Sequence, residues 1–339
     1  EIFSQFDALQ KTYQYFDKIS DNIKEFLDKK PFSSITFIGS GSSYTLCESA
    51  SISTRIHLNI NSHSIVAGDL MMNFEHYENY LKDTLLIAPS RSGSTSEVII
   101  AAKKAKEKYD VPFISINAKE DSKLSQISDL DISIPWAFDE SVCQTRTVTN
   151  LYTINLLLVD LMSPNSVLKQ DIKKAIDYGE KYIENNQNTI ENIVTKNNWE
   201  PVFILADSEL QGIGKEAALA FKEISRLNAY HHHLLDVRHG PMVLIDENTL
   251  VLVANSPNGY KHQKDLIDDL KEKGAFVISN GLSGENFNSD IHIDFPEVKY
   301  SVRGIFFIIL NQILSYYKAV NNNINPDEPE GLDPWISLN

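Results

Sequence analysis

Thr84-Leu-Leu-Ile-Ala-Pro-Ser-Arg-Ser-Gly-Ser-Thr95 runs from an apolar, β-prone stretch straight into a loop of hydroxyls and one glycine. An amphipathic helix follows, and after Lys106-Glu-Lys108 the run Pro112–Ile116 reads as another strand. Strand, loop, helix, strand in that order is the repeating unit of a parallel sheet covered by helices. The unit occurs twice. Thr249-Leu-Val-Leu-Val-Ala-Asn-Ser256 matches the first strand, and Leu270-Lys-Glu-Lys-Gly-Ala-Phe-Val-Ile-Ser279 matches the second with its own Lys-Glu-Lys. Any two α/β units share some likeness, but the common order and the repeated Lys-Glu-Lys favour a duplicated domain.

Outward from these two units, Ser34–Ile38 and Asp131–Ile134 complete the strand pattern of the first half. Pro201–Ala206 and Ile291–Asp294 do the same for the second. Phe16, Ile19, Ile23, Phe26 and Leu27 recur at helical spacing near the start and predict an amphipathic helix ending near Pro31. Leu158 to Asn198 is mostly polar and helical, and reads as the connector between halves. The expected fold class is therefore α/β, with two duplicated doubly wound parallel-sheet domains and flanking helices. The expected divisions are an opening helix over 1–30, a first domain over 31–162, a connector over 163–199, a second domain over 200–320 and a tail over 321–339.

A chain of 339 residues with 42% hydrophobic and 23% charged residues is large enough for two cores of ordinary size. Its net charge of −15 argues against nucleic acid, whose phosphate backbone needs basic faces. A small phosphate can still be held locally by backbone N–H groups at a helix N-terminus. The two cysteines, Cys47 and Cys143, lack metal-type spacing and fit a reducing compartment. The apolar stretch Gly304 to Leu310 ends at Asn311-Gln312 and is too short to span a bilayer. With no apolar leader at the start, the expectation is a cytoplasmic protein that meets neither membrane nor nucleic acid.

Two loops are candidates for anion binding. Gly39-Ser-Gly-Ser-Ser43 follows Ile35–Ile38 and opens a helix; Ser90-Arg-Ser-Gly-Ser-Thr95 follows Leu85–Ala88 and opens another. Both lie at the carboxyl edge of the strands, where open α/β sheets bind ligands. Glycine lets backbone approach closely, hydroxyls donate hydrogen bonds and the helix dipole favours an anion. Neither loop carries the Gly-Lys-Ser/Thr of a P-loop, and the third glycine of a dinucleotide fingerprint would fall at Tyr44. One such loop alone is more often a turn and a cap than a site. Two after neighbouring strands point to binding. The second half has only Ser256-Pro-Asn-Gly259 at the matching place, so one phosphate site per chain is expected, in the first half.

Gly214-Lys-Glu-Ala-Ala-Leu-Ala-Phe-Lys-Glu-Ile-Ser225 reads as a helix that puts Glu216, Ala220 and Glu223 on one face. His239 follows in Asp236-Val-Arg-His-Gly-Pro241, where the Gly-Pro step makes a rigid turn that would hold its ring at a cleft edge. Glutamate and histidine are suited to shuttling protons, although a helix glutamate is usually solvated and a lone histidine usually structural. His231-His-His233 lies in an extended segment whose neighbours face alternate sides, so at most two rings could share a metal. No metal and no cofactor is expected.

The loops Gly39–Ser43 and Ser90–Thr95, with Lys222-Glu-Ile-Ser225 followed by Arg238-His-Gly-Pro241, resemble the SIS-domain family of phosphosugar isomerases. The resemblance extends from about Ile35 to Leu338 and takes in the isomerase half of glucosamine-6-phosphate synthase, fructosamine-6-phosphate deglycases and deaminating isomerases. It implies that Ser43, Ser90, Ser92 and Thr95 hold a sugar phosphate, with backbone around Gly41 and Arg91. A looser match over Glu140–Thr147 adds Thr145 as a third binding segment. It also implies that Glu223 moves a proton between C1 and C2, and that His239 opens the sugar ring, often from a neighbouring subunit of a homodimer. Two lysines of the synthase are missing: Ala220 stands where one would be, Pro334 where its imine-forming lysine would be, and no lysine follows Lys318. The expected activity is therefore a fructosamine-6-phosphate deglycase, with Ala220 leaving room for the amine. A deaminase or aldose–ketose phosphate isomerase is the enzymatic alternative. A phosphosugar-binding regulator is the non-enzymatic one, disfavoured because no basic helix-turn-helix segment accompanies the domain.

Overall fold

A computed structural model describes residues 1–165 and 167–332 of the chain. A long helix, α1 (Gln5–Lys29), comes first. The first half then runs β1 (Ser34–Gly39), α2 (Ser42–Leu58), β2 (Asn61–Val66), α3 (Ala67–Met72), α4 (Glu78–Leu81), β3 (Thr84–Ser90), α5 (Ser96–Tyr109), β4 (Phe113–Asn117), β5 (Leu130–Ser133) and α6 (Arg146–Met162). After α7 (Leu168–Lys196) the second half runs β6 (Val202–Leu205), α8 (Gln211–Ile224), β7 (Ala229–His232), β8 (Leu250–Ala254), α9 (Tyr260–Glu272), β9 (Phe276–Leu282), β10 (Ile291–Phe295) and α10 (Tyr300–Asn321).

Among the described residues the strands form two five-stranded sheets, ordered β2-β1-β3-β4-β5 and β10-β9-β8-β6-β7. Every neighbouring pair is parallel. Read from its other edge, the second sheet follows the same path as the first, which is the expected duplication expressed as topology. In each sheet the order reverses between the first and third strands, the place where α/β sheets open a ligand crevice.

Alternation along the strands builds three layers of core. Leu85 and Ile87 join a large cluster that also holds Leu250 and Leu252 of the other sheet, with Leu46, Leu151, Ile213 and Phe306 from the helices between them. The alternate residues Leu86 and Ala88 face outward onto Val98 and Ala101 of α5. Val251 and Val253 likewise face Leu266 and Leu270 of α9. Both faces of each sheet are thus buried, which is why the central strands read as continuous apolar runs. Losing one such buried leucine to alanine costs about 2–5 kcal/mol.

Two strands are absent from the strand pattern read in the sequence, β2 and β7, the latter touched only by the extended run His231–His233. Both are edge strands, each bonded to one neighbour, and Asn-Ser-His-Ser-Ile-Val and Ala-Tyr-His-His carry too little apolar character to announce themselves. The connector is also more than a link: Leu168, Ile172, Ile176 and Val194 of α7 are buried in the central cluster. No helix among the described residues is long and apolar enough to cross a membrane.

Candidate active site

A cleft of about 350 Å³ opens where the first sheet's order reverses. Ser40, Gly41, Ser42 and Ser43 line it from the β1–α2 loop, and Ser90, Arg91, Ser92 and Thr95 from the β3–α5 loop. Gly41 has φ +55° and ψ −133°, a conformation that side chains resist, and it is the N-cap of α2. Gly93 at φ +57° turns the second loop; a Cβ there would meet the Ser122 hydroxyl at 2.2 Å. Ser90 Oγ accepts the Gly93 N–H at 2.9 Å and Ser92 Oγ accepts the Ser94 N–H at 3.1 Å, so these hydroxyls shape the loop as well as line the cleft. Among the described residues no side chain caps α2 or α5, and both helix N-termini therefore bring positive dipole ends to the same space.

Arg91 is 4% exposed, and its Nη1 donates to the carbonyls of Ser141 and Val142, both at 2.9 Å. Burial holds its guanidinium below the usual arginine range, against the opposing pull of Asp139 and Glu223. Asp139, itself buried, accepts the N–H groups of Thr145 (2.8 Å), Arg146 (3.2 Å) and Thr147 (2.9 Å) and so anchors the start of α6. The segment between Asp139 and α6 is what presents Gln144 to the cleft.

Glu223 reaches this cleft from the other half of the chain. Ala217, Ala218 and Ala220 make α8 a strong helix former, and Gly212 lets it lie directly on α2, where a Cβ would meet the Thr45 carbonyl at 2.1 Å. Lys215 and Glu48 pair across the same contact at 2.5 Å. Glu216, two turns earlier on the same face of α8 as Glu223, is buried and accepts from the Thr45 hydroxyl at 2.8 Å. Burial pushes the Glu223 carboxyl up to about 7, with Arg91 pulling it back down. Burial and the Glu223 charge push Glu216 up to about 7 as well, opposed by the Thr45 and Ser42 hydroxyls. A carboxyl near neutrality inside a cleft is suited to take and return a proton. The neighbouring Cys143 thiol is driven up to about 12 by burial and then by Glu223, and is no nucleophile at neutral pH.

Three expectations fare differently. Thr145 does not line this cleft: its N–H and hydroxyl are both turned to Asp139 as part of the α6 cap, and it lines a separate cavity with Ile2, Phe3 and Tyr316. Its neighbour Gln144 is the residue that faces the loops. Ala220 does not open space beside Glu223; it is 5% exposed and packs with Cys143, Ile224 and Ala319 beneath Leu332. His239 is exposed and does not line the cleft of its own chain, because the loop that carries it leaves β7 at the outer edge of the second sheet. Exposed apolar side chains surround it in sequence, namely Leu235 (41% exposed), Val243 (80%) and Leu244 (61%).

The reading from sequence also missed residues. Glu97 lines the cleft from the first turn of α5, and Gly331 and Leu332 reach it from the tail. Glu97 Oε2 and Gln144 Oε1 are buried without a hydrogen-bond partner among the described residues. Pro334 lies outside the described residues. The histidine run is engaged locally, His231 Nε2 lying 3.0 Å from the Ala206 carbonyl and His233 Nδ1 2.8 Å from Asp207. Burial holds His231 down at about 4.

The family model of the SIS domain matches residues 29–161 and again 197–320. This chain belongs to the SIS-domain family. It is 29% identical over 269 residues to the glutamine–fructose-6-phosphate aminotransferase (isomerizing) of Wigglesworthia glossinidia brevipalpis, covering 76% of this chain and 44% of that protein. It is 26% identical to the enzyme of the same name from Pyrococcus horikoshii, covering 100% of this chain and 57% of that one. The chain thus spans about half the length of the curated relatives it matches. Among solved structures, a glucosamine-6-phosphate deaminase from Thermotoga maritima superposes with a TM-score of 0.84 at 25% identity, over 99% of both chains. A tagatose-6-phosphate ketose/aldose isomerase from Escherichia coli shares the fold with a TM-score of 0.87 at 22% identity, over 99% of this chain and 96% of that one. This SIS chain therefore has the enzyme fold of the phosphosugar isomerase and deaminase group, with two SIS repeats.

Proposed function

We propose that this SIS protein is a fructosamine-6-phosphate deglycase. The observation that carries the reading is Glu223, half-buried at the floor of a hydroxyl-lined cleft and titrating about 7. The sugar phosphate sits against Ser43, Ser90, Ser92 and Thr95 at the two helix N-termini, with backbone around Gly41 and Arg91. Phosphate at one end fixes C1 and C2 near the carboxylate. The Glu223 carboxylate takes a proton from C1 of the open-chain 1-amino ketose, giving an enaminol, and returns a proton to C2. The product is an aldose imine at C1, which one water hydrolyses to aldose 6-phosphate and free amine. Ala220 supplies no amine that would compete for the sugar carbonyl. The unpartnered acceptors Gln144 Oε1 and Glu97 Oε2 are suited to the N–H and O–H groups of such a substrate.

His239 acts in this scheme from a second copy of the chain, in a homodimer. Its exposure, and the apolar Leu235, Val243 and Leu244 around it, support an interface that delivers the ring to the partner's cleft. A second reading, release of ammonia from an amino-sugar phosphate, rests on the likeness to the Thermotoga maritima deaminase. A simple aldose–ketose isomerase would use the same glutamate.

Purified protein is incubated with 6-phosphofructosyl derivatives of several amino acids, and aldose 6-phosphate is followed by a coupled dehydrogenase. Release that vanishes in Glu223→Gln supports the deglycase. Turnover of glucosamine 6-phosphate or a ketose 6-phosphate alone moves the assignment to the deaminase or isomerase. Phosphosugar binding without turnover of any of them makes the chain a sensor.

A further inference from the structure

The second half has a cavity of its own at the place that corresponds to the cleft. It measures about 640 Å³. Glu209 lines it from the loop after β6, Pro257 from the loop after β8, Glu297 and Lys299 from the passage between β10 and α10, and Arg303 from the first turn of α10. These are the topological counterparts of the β1, β3 and β5–α6 segments that line the first cleft.

Its chemistry differs from the cradle. Arg303 is 5% exposed, lines the cavity and has an Nη1 with no hydrogen-bond partner among the described residues. Its Nε donates to the Val298 carbonyl at 3.2 Å, and the guanidinium carbon lies 5.3 Å from the Phe295 ring and 5.9 Å from that of Tyr300, so the group is held in place. A buried guanidinium with an unmet donor is costly unless something arrives to accept from it. Arg303 stands in the first turn of α10, which has no acidic residue of its own, and the Asp171 carboxylate already accepts the N–H of the N-cap residue Lys299. The other charges of the lining are largely spent. Asp171 is taken by Lys174 at 2.7 Å and by the Lys299 N–H at 2.7 Å, and Glu209 by His57 at 2.9 Å and Ser53 at 3.1 Å. Lys299 and Glu297 stay exposed at the rim, and Glu285, whose Oε2 accepts the Leu282 N–H at 3.0 Å, is the carboxylate with the strongest pull on Arg303.

We infer that this cavity is a second ligand site, in which Arg303, with Lys299 at the rim, receives the oxyanion of a small polar metabolite. The volume exceeds that of a bare ion and leaves room for a hydroxylated body beside Glu297. The oxyanion comes from a phosphate ester or from a carboxylate.

Calorimetric titration of the whole chain with glucose 6-phosphate, and separately with citrate, tests the site. Two equivalents of glucose 6-phosphate per chain, falling to one in Arg303→Met, establish a phosphate site. An equivalent of citrate that Arg303→Met abolishes establishes a carboxylate site. An absence of any Arg303-dependent equivalent with either probe overturns the inference. Lys299→Met, an exposed change that spares the fold, provides the check if Arg303→Met does not fold. It weakens the second equivalent at least threefold, and an unchanged affinity there overturns the inference as well.

Discussion

The carboxyl edges of the two sheets began as copies and have been finished in opposite ways. In the first half, Asp139 fills the start of α6 with its own carboxylate, and the open helix ends are those of α2 and α5, whose loops supply seven serine and threonine residues between Ser40 and Thr95. In the second half, the loop after β8 is reduced to Ser256-Pro-Asn-Gly259, and the first turn of α10 carries a buried arginine. The same topology therefore yields a cleft of hydroxyls in one half, whose buried Arg91 is spent on the carbonyls of Ser141 and Val142, and in the other a cavity whose buried Arg303 keeps an unmet donor. What distinguishes them is side-chain chemistry at loop ends, while the sheets beneath are superposable in order. Glu223, the carboxyl proposed to move the proton, belongs to neither edge. It comes from α8, whose seat on α2 joins the halves.

Glu223→Gln tests that division most severely. It lowers turnover by about 10²–10⁴-fold while leaving phosphosugar binding within about threefold, as measured by initial rates and by calorimetry. In the parent protein, kcat/KM climbs as pH rises through about 7, because Glu223 must be ionised to accept the first proton. A profile flat between pH 5.5 and 8.5 would remove Glu223 from the role of base.

Gly212→Ala attacks the seat itself. A Cβ 2.1 Å from the Thr45 carbonyl forces α8 off α2 and costs about 3 kcal/mol in denaturant unfolding. Its effect on activity exceeds that of an equally destabilising change in α9, which serves the second half alone.

Glu216→Gln reads the same seam through pH. The buried Glu216 carboxyl titrates at about 7 in the folded chain against its ordinary 4.5. Its contribution to stability is complete below about pH 4.5 and declines as pH rises toward 7, because the folded state resists ionisation. The amide keeps an acceptor for Thr45 and removes that decline. Scanning calorimetry is expected to show the variant more stable by about 3 kcal/mol at pH 8 and equal to the parent at pH 4.

Asp139→Asn makes the first half more like the second and has the smallest effect. Weakening one buried cap costs about 1 kcal/mol and loosens Gln144, raising KM more than it changes kcat. An unchanged KM would mean that the α6 cap is structural only.

Much of this was readable along the chain. The central strands announced themselves because burial on both faces demands continuous apolar runs such as Thr84-Leu-Leu-Ile-Ala and Leu250-Val-Leu-Val. The edge strands β2 and β7 did not, because Asn61–Val66 and Ala229–His232 carry too few apolar residues to stand out. Ser43, Ser90, Arg91, Ser92, Thr95 and Glu223 meet at one cleft as their motifs implied. Thr145 and Gln144 are adjacent, and no local pattern tells which one turns outward. Only the capture of Thr145 by Asp139 decides it. Ala220 looked like an opening because a small residue stood where a long one was expected, but the packing of Leu332 and Cys143 closes over it.

The sequence by itself determined the α/β class, the duplication and the two hydroxyl loops, because periodicity and glycine placement act over a few residues at a time. Tertiary structure alone decided that Glu223 faces those loops at a raised pKa, that His239 stays outside its own cleft and that Arg303 lies buried with an unmet donor. Burial, and the electrostatics it controls, depends on contacts between segments far apart in the chain, which no local pattern records.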